Sequence, residues 1–195
     1  MYDKYGLDKE NEYIILFYPK NMFISVILKN GYEKELFKFI ENLSKLKSPS
    51  GKTYKLLVKA RCKETAIGIK KINYHKLMID IDFYPLNTTE LLSISSLCIF
   101  FSSSVVEECV FTKTPFMSFD VDKERTIFKF LYDNKICIRK QYEELGDYRD
   151  IDKLQNNVLS IIPSNRKIFD QVIKNHSNHD KNISKRFVDF MLNLK

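Results

Sequence analysis

The sequence predicts a doubly wound α/β domain, in which a parallel sheet carries helices on both faces. Short runs that are apolar throughout recur along the chain, as expected of strands buried on both faces. Amphipathic segments with helical spacing separate several of these runs, which favours alternating strands and helices. The chain has 195 residues, 44% of them hydrophobic. That is enough for one ordered domain with a full core.

Six strands are predicted, all short and mostly apolar. In chain order they cover residues 12–18, 54–59, 76–81, 97–101, 115–119 and 135–138. The first, EYIILFY, begins close to the start of the chain, so we divide the sequence into an N-terminal extension, 1–11, and a single domain, 12–195.

Helices are predicted between the strands and at the C-terminal end. Residues 33–46 have apolar residues at helical spacing, namely Leu36, Phe37, Phe39, Ile40 and Leu43. Residues 88–95 begin with threonine, a residue that commonly caps helices. Further helices are predicted at 104–112 and 123–134, and from residue 151 onward the chain reads as C-terminal helices.

Several common enzyme classes have no support in the motifs. The four cysteines are scattered, without a CxxC pair or a Cys/His cluster, so no metal site is expected. A dinucleotide-binding GxGxxG, a P-loop and a GxSxG nucleophile elbow are all missing from the sequence. Neither a dehydrogenase, a P-loop enzyme nor a serine hydrolase is predicted.

The charge suggests an anionic partner. Lys and Arg number 32 against 25 Asp and Glu, a net charge of +7, which favours nucleotides, phosphates or an anionic membrane surface. A lysine-rich surface with no such partner is the alternative. The basic residues form no block, so a nucleic acid polymer is not expected. No apolar run approaches the ~20 residues that cross a bilayer. We expect a cytoplasmic protein, with peripheral contact at the inner face of the membrane as one option.

The segment FFSSSVVEECVFTKTPFMSFD, residues 100–120, is the most informative part of the sequence. Ser102, Ser103 and Ser104 fall where a predicted strand gives way to a helix. The free N–H groups of a helix start attract anions, and small hydroxyl residues let a phosphate approach. Plain capping is the alternative, because Ser104 and Glu107 have the S-x-x-E spacing of a capping box.

Two adjacent glutamates follow the serines. Helical geometry puts four residues on one face, Val105, Val106, Cys109 and Val110, with Glu107 and Glu108 on either side of it. A carboxylate one turn into the helix can accept hydrogen bonds from a ribose diol. The alternative is a pair of solvated carboxylates that favour the helix dipole, and periodicity does not choose between the two glutamates.

This segment resembles the donor-nucleotide element of GT-B glycosyltransferases and UDP-N-acetylglucosamine 2-epimerases. There a strand leads to a Ser/Gly/Thr turn, a helix with an E-A or E-E-A step, and GKP before the next strand. Here TKTP takes the place of LGKP, and Cys109 that of the small residue. The resemblance implies that Ser102–Ser104 bind the diphosphate and that Glu108 binds the ribose, leaving Glu107 as a capping partner.

Two further stretches resemble surface-polysaccharide members of the same class. YKLLVKAR is similar to a strand that ends in a basic, phosphate-facing loop, which implies diphosphate contacts from Lys59 and Arg61. DKNISKRFVDFM is similar to a C-terminal helix of cell-surface carbohydrate transferases. The similarity to the epimerases also implies a diphosphate contact from Arg125.

The resemblance implies a Rossmann-like domain that forms the donor-binding half of a GT-B glycosyltransferase. Its substrate would be a nucleotide-diphosphate sugar, UDP-linked, used in cell-surface polysaccharide synthesis without a metal or other cofactor. A UDP-sugar 2-epimerase-like domain and a non-catalytic subunit that pairs with a separate acceptor-binding domain are the alternatives. GT-B enzymes have two such domains, so the chain is either part of a longer protein or a natural half. We expect the isolated chain to bind nucleotide weakly and to turn over little or nothing.

Overall fold

The computed structural model describes residues 1–19, 21–60, 72–79, 88–101, 105–120, 137–162 and 167–171. The chain divides into two compact units, Met1–Ser164 and Asn165–Lys195. The first unit contains the sheet. In the second, residues 167–171 are described, and they are helical. The predicted helix at 123–134 and the chain from residue 172 onward lie outside the described residues.

The first unit is built on a six-stranded sheet in which every strand pair is parallel. The spatial order is β3-β2-β1-β4-β5-β6, which confirms the doubly wound α/β class. The strands are β1 (Tyr13–Phe17), β2 (Lys55–Ala60), β3 (Lys76–Ile79), β4 (Ser95–Phe101), β5 (Phe116–Asp120) and β6 (Cys137–Gln141).

Five α-helices are described in this unit. They are α1 (Asn21–Lys29), α2 (Glu33–Leu43), α3 (Thr88–Ser93), α4 (Val106–Thr112) and α5 (Ile151–Ile161). Two 3₁₀ helices cover Asp3–Tyr5 and Tyr142–Arg149. The sequence did not predict α1 or either 3₁₀ helix. None of the helices in the described parts of the chain is long and apolar enough to cross a membrane.

The apolar strand residues explain why the sheet is covered on both sides. Ile14 and Leu16 of β1 join a core with Phe39 and Ile40 of α2. Ile15, between them in sequence, is also fully buried, because successive strand residues point to opposite faces. A strand buried on both faces has no polar positions, and this pattern made β1 recognisable in the sequence.

Helix α2 holds the 3₁₀ helix Tyr142–Arg149 through one buried polar side chain. Asn42 is 2% exposed. Its amide nitrogen donates to the carbonyl oxygens of Tyr148 at 2.9 Å and Arg149 at 3.2 Å. Two carbonyls at the end of the 3₁₀ helix thereby gain partners that the helix itself cannot supply. The next helix, α5, begins at a conventional cap, because the Asp150 carboxylate accepts the N–H of Asp152 at 2.9 Å.

The first residues of the chain pack against the amino ends of the strands. The Tyr5 side chain is fully buried, and its hydroxyl donates to the Glu90 carboxylate. Lys4 forms an ion pair with the same carboxylate at 2.6 Å, and the Lys76 ammonium donates to the Tyr5 carbonyl. Gly6 adopts a φ of +56°, and a Cβ there would lie 2.9 Å from Lys76 Nζ. Glycine is therefore required where the segment turns into the sheet.

Candidate functional site

The strand order places a topological switch point between β1 and β4. From β1 the chain winds outward to β2 and β3, and from β4 it winds the other way to β5 and β6. The two strands pair directly, with Leu16 in register with Ile99. Open α/β sheets bind ligands outside the carboxyl ends of their strands at such a point. The carboxyl ends of β1 and β4 are therefore the candidate site.

The predicted serine turn begins at this point. Strand β4 ends at Phe101, so Ser102 follows its last residue directly. Ser102, Ser103, Ser104, Arg61 and Arg125 lie outside the described residues. Their assignment to a diphosphate stays a prediction.

Lys59 lies beside the switch point. It is in register with Phe17, the last residue of β1, and its ammonium lies 5.4 Å from the centroid of the Phe17 ring. Its carbonyl accepts the N–H of Tyr18 at 2.8 Å, which extends the β1–β2 pairing by one bond. A lysine held over an aromatic face is attracted by about 0.5–1 kcal/mol at an exposed site. The strand pairing thus brings a cation to the carboxyl edge of the sheet.

The two glutamates of α4 differ in exposure. Glu107 is exposed and Glu108 is half-buried. Burial raises the pKa of the Cys98 thiol well above its usual value, and the nearby Glu108 charge contributes to that shift. Glu108 lies in the first turn of the helix, next to Cys109, whose thiol meets that of Cys98 on β4. A ribose-binding role for Glu108 stays a prediction.

Helix α4 begins later than the sequence predicted. Its first helical residue is Val106, and Val105 precedes it without a side-chain cap. The predicted capping box required Ser104 in the capping position, and Val105 takes that position instead. The helix has seven residues, about two turns, so any contribution of its dipole to anion binding is small.

The TKTP segment ends α4 with an unusual backbone conformation. Lys113 has a φ of 56°, in the left-handed region. Its N–H donates to the Val110 carbonyl at 3.1 Å, and the N–H of Thr114 donates to the Cys109 carbonyl at 2.9 Å. Glycine is the usual residue where a helix terminates in this way. Lys113 corresponds to the glycine of the LGKP pattern that the sequence resembles.

The hydroxyl of Thr114 fixes the end of α4 to its neighbour. Thr114 is 3% exposed, and its side chain donates to the Leu92 carbonyl of α3 at 3.0 Å. It also shares a hydrogen bond of 2.8 Å with the Thr112 hydroxyl. The helix that carries Glu108 is thereby held to α3.

Three cysteines are buried near this helix. Cys98, Cys109 and Cys137 are free thiols. Burial is the main cause that raises the pKa of both Cys98 and Cys137, which leaves little thiolate to act as a nucleophile. Among the residues that the structure describes, no cluster of three or more His, Cys, Asp or Glu could hold a metal ion.

Aromatic residues that the sequence analysis did not single out lie at the same edge of the sheet. Tyr18 directly follows β1. Burial, with a smaller contribution from the Glu33 charge, raises its pKa to about 12. Tyr32 precedes α2 and meets Tyr142, which follows β6, edge to face with ring centroids 5.5 Å apart. The sequence signal for these rings was only their position at the ends of predicted elements.

No protein-family model matches the chain, and no curated protein matches it. Two solved structures are similar at a low level. One is described as a candidate UDP-N-acetylglucosamine 2-epimerase from Listeria monocytogenes, with a TM-score of 0.47 and 13% identity over 88% of this chain and 46% of that chain. The other is an S. aureus MnaA–UDP co-structure, with a TM-score of 0.44 and 11% identity over 94% of this chain and 48% of that chain.

The chain thus spans about half the length of both proteins. Similarity at this level assigns neither a ligand nor a reaction to the chain.

Proposed function

We propose that this chain binds a nucleoside-diphosphate sugar, UDP-linked, at the carboxyl ends of β1 and β4. It would serve as the donor-binding half of a glycosyltransferase in cell-surface polysaccharide synthesis. One observation carries the proposal: the serine run Ser102–Ser104 begins at the residue after β4, on one side of the switch point of the sheet. The motif that resembles a donor-nucleotide element therefore falls where this fold class binds ligands.

The diphosphate is assigned to hydroxyl groups and cations. Helix α4 is too short for its dipole to hold a diphosphate without help, so the serines supply donors and Lys59, Arg61 and Arg125 supply charge. Lysine binds phosphate as a point charge, and arginine can bind it through two parallel hydrogen bonds. Support for Lys59 comes from its position on β2, beside the last residue of β1.

The ribose is assigned to Glu108. An ionised carboxylate has two oxygens, each able to accept a hydrogen bond from a sugar hydroxyl. Glu108 lies in the first turn after β4 and is half-buried, whereas Glu107 is exposed. The resemblance to the donor-nucleotide element selects Glu108 over Glu107. It gains support at the other end of α4, where Lys113 corresponds to the glycine of LGKP and has the left-handed conformation that glycine favours.

The groups assigned to the diphosphate would also assist glycosyl transfer in the complete glycosyltransferase. Charge develops on the leaving diphosphate during glycosyl transfer, and donors already in place stabilise that charge. The acceptor and the base that activates it are assigned to a separate domain or partner subunit. We therefore expect the chain by itself to bind nucleotide without efficient turnover.

Calorimetric titration with UDP, uridine and UDP-N-acetylglucosamine tests this function. UDP should bind more tightly than uridine, because the diphosphate meets the serines and the cations. Glu108→Gln should weaken UDP binding by roughly 1–3 kcal/mol, the range for losing a charged hydrogen-bond partner, or about 5- to 150-fold. Glu107→Gln is the matched control and should leave the affinity unchanged.

Two results would contradict the proposal. Equal affinities for UDP and uridine would contradict the diphosphate site. Equal affinities of the Glu108→Gln and Glu107→Gln variants for UDP would contradict the ribose-binding role of Glu108. Product analysis after incubation with UDP-N-acetylglucosamine tests the epimerase alternative in one direction: formation of a stereoisomer of the sugar would replace the transferase assignment with an epimerase.

A further inference from the structure

A polar depression of about 270 Å³ lies at the amino ends of β2 and β3, the edge of the sheet opposite to the proposed nucleotide site. Hydroxyl, amide and basic side chains line it: Ser44, Thr53, Lys55, Asn73, Tyr74 and His75. None of the lining residues in the described part of the chain is an aspartate or a glutamate. The proposed function makes no use of this surface.

Strand pairing brings the two basic groups of the depression together. Lys55 is the first residue of β2, and His75 immediately precedes β3. The His75 N–H donates to the Leu56 carbonyl at 2.8 Å, so His75 lies beside the strand that carries Lys55. The imidazole ring packs 6.0 Å from the ring of Tyr13 on β1. The side chain is therefore held at the sheet edge.

The charges around His75 are positive. Burial lowers the pKa of His75, and the charges of Lys55 and Lys76 lower it further. Two acids close to the depression are engaged with other groups. The Glu12 carboxylate accepts from the Ser50 hydroxyl, and Glu41 pairs with Lys38 and Lys45. Among the described residues, the depression thus combines several hydrogen-bond donors with the positive charge of Lys55 and no lining carboxylate. The Glu12 carboxylate lies nearby, since burial and then its charge raise the pKa of the lining residue Tyr54.

We propose that this depression binds the phosphate group of a small ligand through Lys55, His75 and the neighbouring hydroxyls. A volume of about 270 Å³ is many times the ~30 Å³ that one water molecule occupies in the liquid, so a phosphate and several of its waters fit. A phosphate dianion can accept from the ammonium, an imidazole N–H and the hydroxyls at once, whereas a carboxylate has fewer acceptor oxygens and a single charge.

This site is separate from the proposed nucleotide site. Lys55 and Lys59 lie four positions apart on β2, or roughly 13 Å along the strand at ~3.3 Å per residue. The two lysines therefore lie at opposite ends of β2, one at the amino edge of the sheet and the other at the carboxyl edge. The two sites can therefore be tested independently.

Histidine NMR tests the phosphate site directly. The imidazole resonances are followed against pH in sodium chloride and in sodium phosphate of matched ionic strength, and His75→Gln identifies the His75 signal. Bound phosphate should raise the pKa of His75 above its value in chloride, because an anion offsets the charges of Lys55 and Lys76. The His75→Gln spectrum, recorded in both salts, also shows how any other histidine signal responds to phosphate.

Variants and a second anion complete the experiment. Lys55→Gln should weaken phosphate binding, read from the His75 signal at fixed pH, by roughly tenfold or more. Lys34→Gln, an exposed lysine in the first turn of α2, is the matched control and should leave binding unchanged. Equal His75 pKa values in phosphate and chloride would overturn the proposal, and so would unchanged binding in Lys55→Gln. Succinate binding as tightly as phosphate would refute the phosphate preference.

Discussion

Replacing Lys113 with glycine should stabilise the protein, and the expected size follows from the backbone. Lys113 has a φ of 56° and a ψ of 35°. A residue with a Cβ pays about 1–2 kcal/mol in this left-handed region. Glycine avoids that cost but gives back about 0.4–1 kcal/mol, because it makes the unfolded chain more flexible. The midpoints of these two ranges give a net gain in the free energy of unfolding of about 0.8 kcal/mol.

Lys113→Ala is the control that separates the backbone from the side chain. Alanine keeps the left-handed strain and removes the contacts of the lysine side chain, so it should not stabilise the protein. Lys113→Gly should be more stable than Lys113→Ala by about 0.8 kcal/mol, because the relief of strain is again partly offset by the more flexible unfolded chain of the glycine variant. The backbone bonds from Lys113 to Val110 and from Thr114 to Cys109 should form in all three proteins.

Urea denaturation, followed by circular dichroism, measures these differences in the free energy of unfolding. The dependence of that free energy on urea concentration should be the same in all three proteins. For a chain of this size, a gain of 1 kcal/mol raises the melting temperature by about 2–4 °C. Equal stabilities of the glycine and alanine variants would refute the left-handed conformation at residue 113. The correspondence of Lys113 with the glycine of the LGKP pattern would then lose its structural support.

Two further predictions concern buried thiols and an acid-sensitive contact. In a Cys62→Ser variant, Cys98, Cys109 and Cys137 should react with a disulfide reagent far more slowly in the folded protein than in urea, because all three are buried; native-state rates equal to those in urea would contradict this. The Lys4 ammonium and the Tyr5 hydroxyl lower the pKa of Glu90 in the folded protein. The ionised carboxylate therefore stabilises the fold at pH values above the pKa that Glu90 has in the unfolded chain. This stabilisation is lost as the pH falls through the lower pKa of the folded protein. The stability difference between wild type and Glu90→Gln should therefore shrink on acidification, and a difference that stays constant from neutral to acidic pH would show that the contact does not form.

The sheet could be predicted because its strands carry their own signal. A strand buried on both faces is apolar throughout, as in β1, so its existence is evident without knowledge of its neighbours. Helix α1 was missed for the opposite reason. Its sequence, NMFISVILK, is rich in β-branched residues and apolar on several sides, with Leu28 42% exposed. Neither helical nor strand periodicity stands out in such a segment.

Contacts between distant parts of the chain left no local signal. The side chain of Asn42 bonds to carbonyls more than 100 positions later, and the Tyr5 hydroxyl meets Glu90 across 85 positions. A polar residue in an amphipathic helix, or a tyrosine near the start of a chain, has many ordinary roles. Only the folded arrangement shows that these two side chains are partners for buried or half-buried groups.

The elements that carry the candidate site could be predicted, because strand ends are visible in sequence. Lys59 and Glu108 were assigned from the resemblance of their segments to a donor-nucleotide element; the strand and the helix that carry them form, and their ligand-binding roles stay predictions. The difference in exposure between Glu107 and Glu108 could not be predicted, since it depends on how α4 packs against β4. The basic depression was missed as well, because it joins residues 44, 53–56 and 73–75, which the sequence keeps apart.

Two similar lysines on one strand belong to the two different proposed sites, because they lie at opposite edges of the sheet. Lys55 and Lys59 lie on the same face of β2, four positions apart, yet one is at the amino edge of the sheet and the other at the carboxyl edge. Sites more than ~10 Å apart that share no contacts normally behave additively. Substitution of Lys59 should therefore change UDP binding and leave the pKa of His75 unaffected, and substitution of Lys55 should do the reverse. Each variant is thus an internal control for the other, and loss of both activities from a single substitution would indicate a general effect on the fold instead of a local effect on either site.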